Sequence, residues 1–174
     1  EYYNISNNKD TNKYIGVNVA VVNFSDILLG DKLKQKLNCF NSKLTRMKEV
    51  KKIAEIQSSY WGDSYTEDDF YNILSFQDKI SGRFEESITG GTGLTKLIAI
   101  LEGRATLHSC YLLSGNRGIV FDKDLIIPNE QNWIGFNKEH DFFIPPDESC
   151  IFNNVFYMPG TAYNLNFVFK KELV

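Results

Sequence analysis

The residues with the plainest chemistry in this chain are Gly90-Gly91-Thr92-Gly93-Leu94-Thr95-Lys96-Leu97. A glycine-rich turn runs straight into a segment whose apolar residues, Leu94, Leu97, Ile98 and Leu101, share one helical face. Glycines at 90, 91 and 93 free the backbone to curl just before that helix. The first amides of a helix have no internal partner, and the positive end of the helix dipole lies behind them. A phosphate sits well there. The segment therefore predicts a phosphorylated ligand, above all a nucleotide, held by Gly90, Gly91, Thr92, Gly93 and Leu94. Lys96, in the first turn, either neutralises phosphate charge or faces solvent. Arg83 is within reach of the same phosphates, although an exposed arginine after a helix is the commoner arrangement.

Two familiar phosphate loops do not fit. A P-loop needs a final glycine followed by lysine and a hydroxyl residue. Here Thr95 stands in place of that glycine, and Leu97 follows Lys96. The dinucleotide fingerprint needs a third glycine, and Lys96 occupies its place. Both loops also follow a buried strand, whereas Ser81 to Thr89 is polar and turn-like.

The run Gly91-Thr92-Gly93-Leu94-Thr95-Lys96-Leu97 resembles the G-T-G-L-G-L box of the GHKL ATPases, the superfamily of DNA gyrase, Hsp-type chaperones, histidine kinases and mismatch-repair ATPases. Thr95-Lys96 is its departure from that pattern. Gly160-Thr161-Ala162-Tyr163-Asn164-Leu165-Asn166-Phe167 is similar to the closing G-T-x-F-x-L-x-L strand of the same superfamily, where the threonine helps to bind adenine. Thr161 is the matching residue, and a strand threonine after a Pro-Gly turn is its plainer reading. Tyr2-Tyr3-Asn4-Ile5-Ser6-Asn7-Asn8 looks like the second half of the E-x-x-x-N helix, with Asn4 as the magnesium residue and Asn8 one turn on. An Asn-rich loop is the alternative. The partner carboxylate would precede Glu1, so the chain is expected to be a piece of a longer protein. The box that should read D-x-G-x-G follows the strand Ile15 to Val22. One alignment, Asn23-x-Ser25-x-Ile27, keeps none of its key residues. The other, Asp26-x-Leu28-x-Gly30, keeps the carboxylate and one glycine and is preferred. In the superfamily that carboxylate accepts the adenine amino proton. The resemblance narrows to a bacterial group that shares the run Phe76 to Arg83 and the ending from Pro159.

What the resemblance implies is a single domain over 1–174 with a two-layer α/β sandwich of the Bergerat type and an antiparallel or mixed sheet. The ligands would be ATP and magnesium, and residues 31–92 would form a lid-like helical insertion. Function would be ATP binding, with or without hydrolysis, that couples nucleotide state to lid closure and to a protein partner or second copy. A non-catalytic interaction module with a degenerate pocket is the alternative.

Composition sets the frame. The chain has 174 residues, 43% hydrophobic content and a net charge of −3. That length suffices for one domain with a sizeable core. The charge gives no footprint for nucleic acid, and no apolar run reaches membrane-spanning length. Cys39, Cys110 and Cys150 are widely spaced and odd in number, so free thiols in a reducing cytoplasm are expected. His108 and His140 stand far apart, without metal-ligand spacing.

The pattern of elements starts with a helix end over residues 1–9 and a strand over 14–24. Helices follow over 31–37, 42–57, 66–80 and 93–103. The third carries a loose capping box from Thr66 to Asp69. Short strands are expected over 107–113, 117–121, 132–136, 150–157 and 162–170, with Pro128, Pro145, Pro146 and Pro159 as breakers. Helices first and strands later give an α/β sandwich.

Overall fold

The computed structural model describes residues 2–3, 14–39, 45–81, 96 and 107–170. These residues form a mixed α/β structure. Its strands are β1 (Tyr2–Tyr3), β2 (Tyr14–Asn23), β3 (Leu107–Phe121) and β4 (Ile151–Lys170), and its helices are α1 (Asp31–Cys39), α2 (Thr45–Gln57) and α3 (Glu67–Leu74). The sheet runs β1-β2-β4-β3, and every pairing is antiparallel.

The pairing register assigns residues to faces, because side chains alternate along a strand. Cys110, Leu112, Leu165 and Phe167 are buried on one face, where they join a core with Leu33, Val50, Ile53, Phe70, Ile73 and Phe76 from the helical stretch. The loop from 122 to 150 completes that layer with Ile126, Trp133, Phe136 and Phe142. The Phe142 ring stacks on Phe70 at 5.6 Å and on Trp133 at 5.4 Å. Tyr111, Leu113, Asn164 and Asn166, on the opposite face, are only partly buried.

The helical layer covers β3 and β4 but leaves β2 open among the described residues. Val17, Val19 and Val21 pair with Phe167, Leu165 and Tyr163, yet all three valines are exposed. Leu33 and Leu37 of α1, Met47, Val50 and Ile53 of α2, and Phe70, Ile73 and Leu74 of α3 are part of the core. Residues 82–92 lie outside the described residues.

The expected strand over 14–24 and the helices near 31–37 and 42–57 are present, within a few residues at their ends. The capping box forms: Asp69 N–H donates to Thr66 Oγ1, and Thr66 N–H donates to Asp69 Oδ2. Four expectations differ from the structure. The third helix ends at Leu74 rather than near residue 80, and residues 75–79 continue as turns. Tyr2–Tyr3 is not a helix end but a short strand on Tyr14 and Ile15. The strand pairs around 107–121 and 151–170 are each continuous. Gly115 and the Pro159-Gly160 pair read as breaks, but they mark irregular register inside the strands. Pro159 is tolerated because β2 begins to pair with β4 only at Thr161, so the first half of β4 is an edge on that side.

Residues 132–136, finally, form no sheet strand. Ile134 makes an isolated bridge with Pro128, and the Gln77 side chain replaces a neighbouring strand. Its amide donates to Ile134 O at 2.9 Å, and its oxygen accepts from Ile134 N–H at 2.9 Å. Positive φ at Asn132 and Phe136 ends any extended run there.

Candidate functional site

The end of the sheet where β2 meets the middle of β4 gathers the described residues of interest. Thr161 is buried, with Asn23 as its partner in β2 and Ser114 as its partner in β3. Gly160 allows this. Its φ is +88°, and a Cβ there would meet Asn23 O and stand 2.7 Å from Ser25 N. Only glycine accepts both the conformation and the close approach of β2. The Gly-Thr step of the last strand thus sits against the exit of β2.

Asp26 lies three residues beyond Asn23, at a bend, with its residue exposed to solvent. The loop carrying it is held by two local bonds. Ser25 Oγ accepts from Ile27 N–H at 3.0 Å, and Asp31 Oδ2 accepts from Leu28 N–H at 2.8 Å.

Ser114 anchors the loop to the sheet, and sequence reasoning did not single it out. Its hydroxyl accepts from Leu29 N–H at 3.1 Å and donates to Gly160 O at 2.9 Å. It is a positioning residue that ties the Asp26 loop to the strand of Thr161. A serine directly before Gly115 was its only sequence signal, and that dipeptide reads as a turn.

Gly30 has a packing task in this structure. It is buried at the start of α1, and a Cβ there would stand 2.5 Å from Tyr71 Cβ and 3.0 Å from Tyr71 C. The glycine lets α1 pack directly on α3. Tyr163 follows Thr161 on the same face, half-buried, and burial pushes its phenol up to about 12, so it is neutral at ordinary pH. It offers an aromatic surface beside the threonine.

Asn4, Asn8, Gly90, Gly91, Thr92, Gly93 and Leu94 lie outside the described residues, as does Arg83. Lys96 is described and is helical and exposed. Among the described residues no group of His, Cys, Asp or Glu is arranged to hold a metal ion. Cys110 and Cys150 are buried free thiols, and burial pushes Cys150 up to about 12. Neither is placed to act as a nucleophile at neutral pH. No helix among the described residues is long and apolar enough to cross a membrane.

A second polar cluster lies deeper and has a structural character. Arg117 Nε donates to Asp69 Oδ1 at 2.7 Å, and its Nη2 lies 2.5 Å from Asp69 Oδ2. The same guanidinium also donates to Ser64 O at 3.0 Å and to Asn153 Oδ1. Asp69 is wholly buried and is also the N3 residue of the α3 capping box. Every face of this pair is taken by protein, which leaves no room for substrate. Comparison with known proteins gives no match to a family model, a curated protein or a solved structure.

Proposed function

We propose that this chain is an ATP-binding module of the GHKL type, with a Bergerat-like arrangement of its sheet and helices. One observation carries the reading. The pairing of Asn23 with Thr161 brings the exit of β2, the Asp26 loop and the Gly160-Thr161 step to one end of the sheet. A nucleotide base held by an acid after one strand and a threonine on the last strand needs that neighbourhood. The glycine run 90–93 supplies amides suited to phosphates, in chain order between the two.

The roles follow from residue chemistry. The Asp26 carboxylate accepts from an exocyclic amine, and the Thr161 hydroxyl supports the same edge of the base. Tyr163 offers a flat apolar surface beside them. In this reading Gly90 to Leu94 would bind the phosphates, and Asn4 and Asn8 would serve the metal. Magnesium, when bound, offsets phosphate charge. Gly30 is left out of the binding set, because its packing on Tyr71 already accounts for it. The helices α1 to α3 contribute to the core, so they would stay in place as nucleotide binds. Two buried free thiols among the described residues support a cytoplasmic setting.

A titration of Mg-ATP into the chain tests this, with a Gly91→Val/Gly93→Val variant whose folding is checked by circular dichroism. Binding should be measurable and should fall at least ~10-fold in the folded variant, since the added side chains block the phosphate amides. Equal affinity in both would overturn the reading. Absence of binding by the parent chain would favour the second one, an interaction module with a degenerate pocket. The observation behind that alternative is an apolar bulge at Val155, Phe156 and Tyr157, all exposed.

A further inference from the structure

We infer that the outer face of the sheet around residues 154–157 is a self-association surface, occupied by a second copy of this chain. The inference is independent of nucleotide binding.

The surface is built rather than incidental. Gly115 pairs with Met158, and Arg117 pairs with Asn153, so Asn116 alone faces the four residues Asn154 to Tyr157. The extra residues form a knob. Its base is fixed, because Asn154 Nδ2 donates to Gly115 O at 3.1 Å and to Arg117 O at 3.0 Å. Asn153 is held by the Arg117 guanidinium. These bonds display Val155, Phe156 and Tyr157 at 102%, 60% and 55% exposure. An apolar tip on a hydrogen-bonded base carries little ordering cost when it binds.

A groove of about 330 Å³ adjoins the knob, lined by Tyr111, Leu113, Val120 and Phe152 with the knob's own residues. Phe152 lies across Gly118, where a Cβ would collide with its ring, so the groove floor is filled and fixed. Val22, through Ala162, lies in the same cross-strand row as Leu113 and extends the face.

Two arguments commit the surface to a second copy. The first is shape. Knob and groove adjoin on one face, so a two-fold rotation places each knob in the other copy's groove, as an isologous contact requires. The second is area. Val155, Phe156, Tyr157 and Val22 are each at least half exposed, and the groove residues Tyr111, Leu113, Val120 and Phe152 are partly exposed. On the ~150–250 Å² scale of large side chains they leave on the order of 600 Å² per copy. Two copies would bury about 1,200 Å², the lower bound for a specific interface. The groove and knob residues carry no charge, so a chain of net charge −3 meets no like-charge repulsion there.

Sedimentation velocity over a concentration series tests the inference, on the full chain without nucleotide. The parent chain should show a monomer–dimer equilibrium. Phe156→Glu should weaken it at least ~30-fold, the effect of losing a central anchor, with an unchanged circular dichroism spectrum. Val155→Glu serves as the second variant, because a fully exposed side chain can change without loss of fold. Ile56→Glu, on exposed α2 surface, should leave the equilibrium unchanged. A parent chain that stays monomeric overturns the inference. So does a dimer that neither Phe156→Glu nor Val155→Glu weakens.

Discussion

Two neighbouring regions of this molecule treat polar groups in opposite ways. In the closed one, around Arg117, polar side chains are buried and paired. Asp69 meets the guanidinium on two oxygens and caps α3 as well. Gln57 donates to Phe142 O at 2.5 Å and accepts from the Tyr65 hydroxyl, whose acidity burial suppresses further. Gln77 supplies both halves of a missing strand pairing. At the β2 end, the Asp26 loop is exposed and the valines of β2 are open among the described residues. There the polar bonds fix backbone, as those of Ser114 do, and none of them uses the exposed Asp26 side chain. The closed end specifies one arrangement of helices on sheet. The open end keeps the Asp26 loop and the β2 valines exposed among the described residues.

If that contrast is right, the largest stability loss belongs to Arg117→Ala. It strands a fully buried carboxylate and costs about 3–5 kcal/mol, read as a lower urea midpoint. Arg117→Met/Asp69→Asn, which removes both charges and keeps an acceptor for Thr66 N–H, should recover part of the loss. A small effect of Arg117→Ala would erase the distinction between the two ends.

Gly30→Ala comes next, and it sharpens the boundary between them. The new Cβ meets Tyr71 Cβ at 2.5 Å and Tyr71 backbone carbon at 3.0 Å, so α1 must shift from α3. Overpacking of this kind costs about 1–3 kcal/mol. The folded protein should keep its ATP affinity, because Gly30 packs rather than binds. A loss of affinity with unchanged stability would move Gly30 back to the site.

The legible parts of this molecule are those whose signals are local. Thr66 and Asp69 announce the start of α3 within four residues. The alternation of Tyr14 to Asn23 announces β2. What the sequence hides depends on partners far along the chain. Residues 132–136 look extended, but their pairing partner is the side chain of Gln77, 57 residues before Ile134. Gly115 and Pro159 look like ends, but they lie inside long strands because a bulge absorbs the extra residues between them. Asp69 reads as a cap alone, and its pairing with Arg117 spans 48 residues. The candidate site divides the same way. Asp26 and Thr161 stand out in short patterns as candidates, whereas Ser114, which joins their two segments, has no pattern of its own. Gly30 was found by the same matching, and the contact with Tyr71 that explains it is tertiary.

Asp26→Asn should have the smallest effect on stability and the most selective effect on function. The side chain is exposed and none of the loop's anchoring bonds uses it, since those run through Ser25, Asp31 and Ser114. A surface change of this kind stays within about 0.5 kcal/mol. The proposed role is different in kind. The carboxylate accepts from the amine of the base, and the amide presents donors on part of the same edge. An unmatched polar contact costs about 1–3 kcal/mol, so ATP affinity should fall at least ~5-fold. GTP offers a good control, because it carries a carbonyl where adenine carries the amine. Discrimination between ATP and GTP should therefore shrink in Asp26→Asn. If both nucleotides bind the variant as they bind the parent, the base is not read at Asp26. The open end would then be a surface for proteins rather than nucleotides.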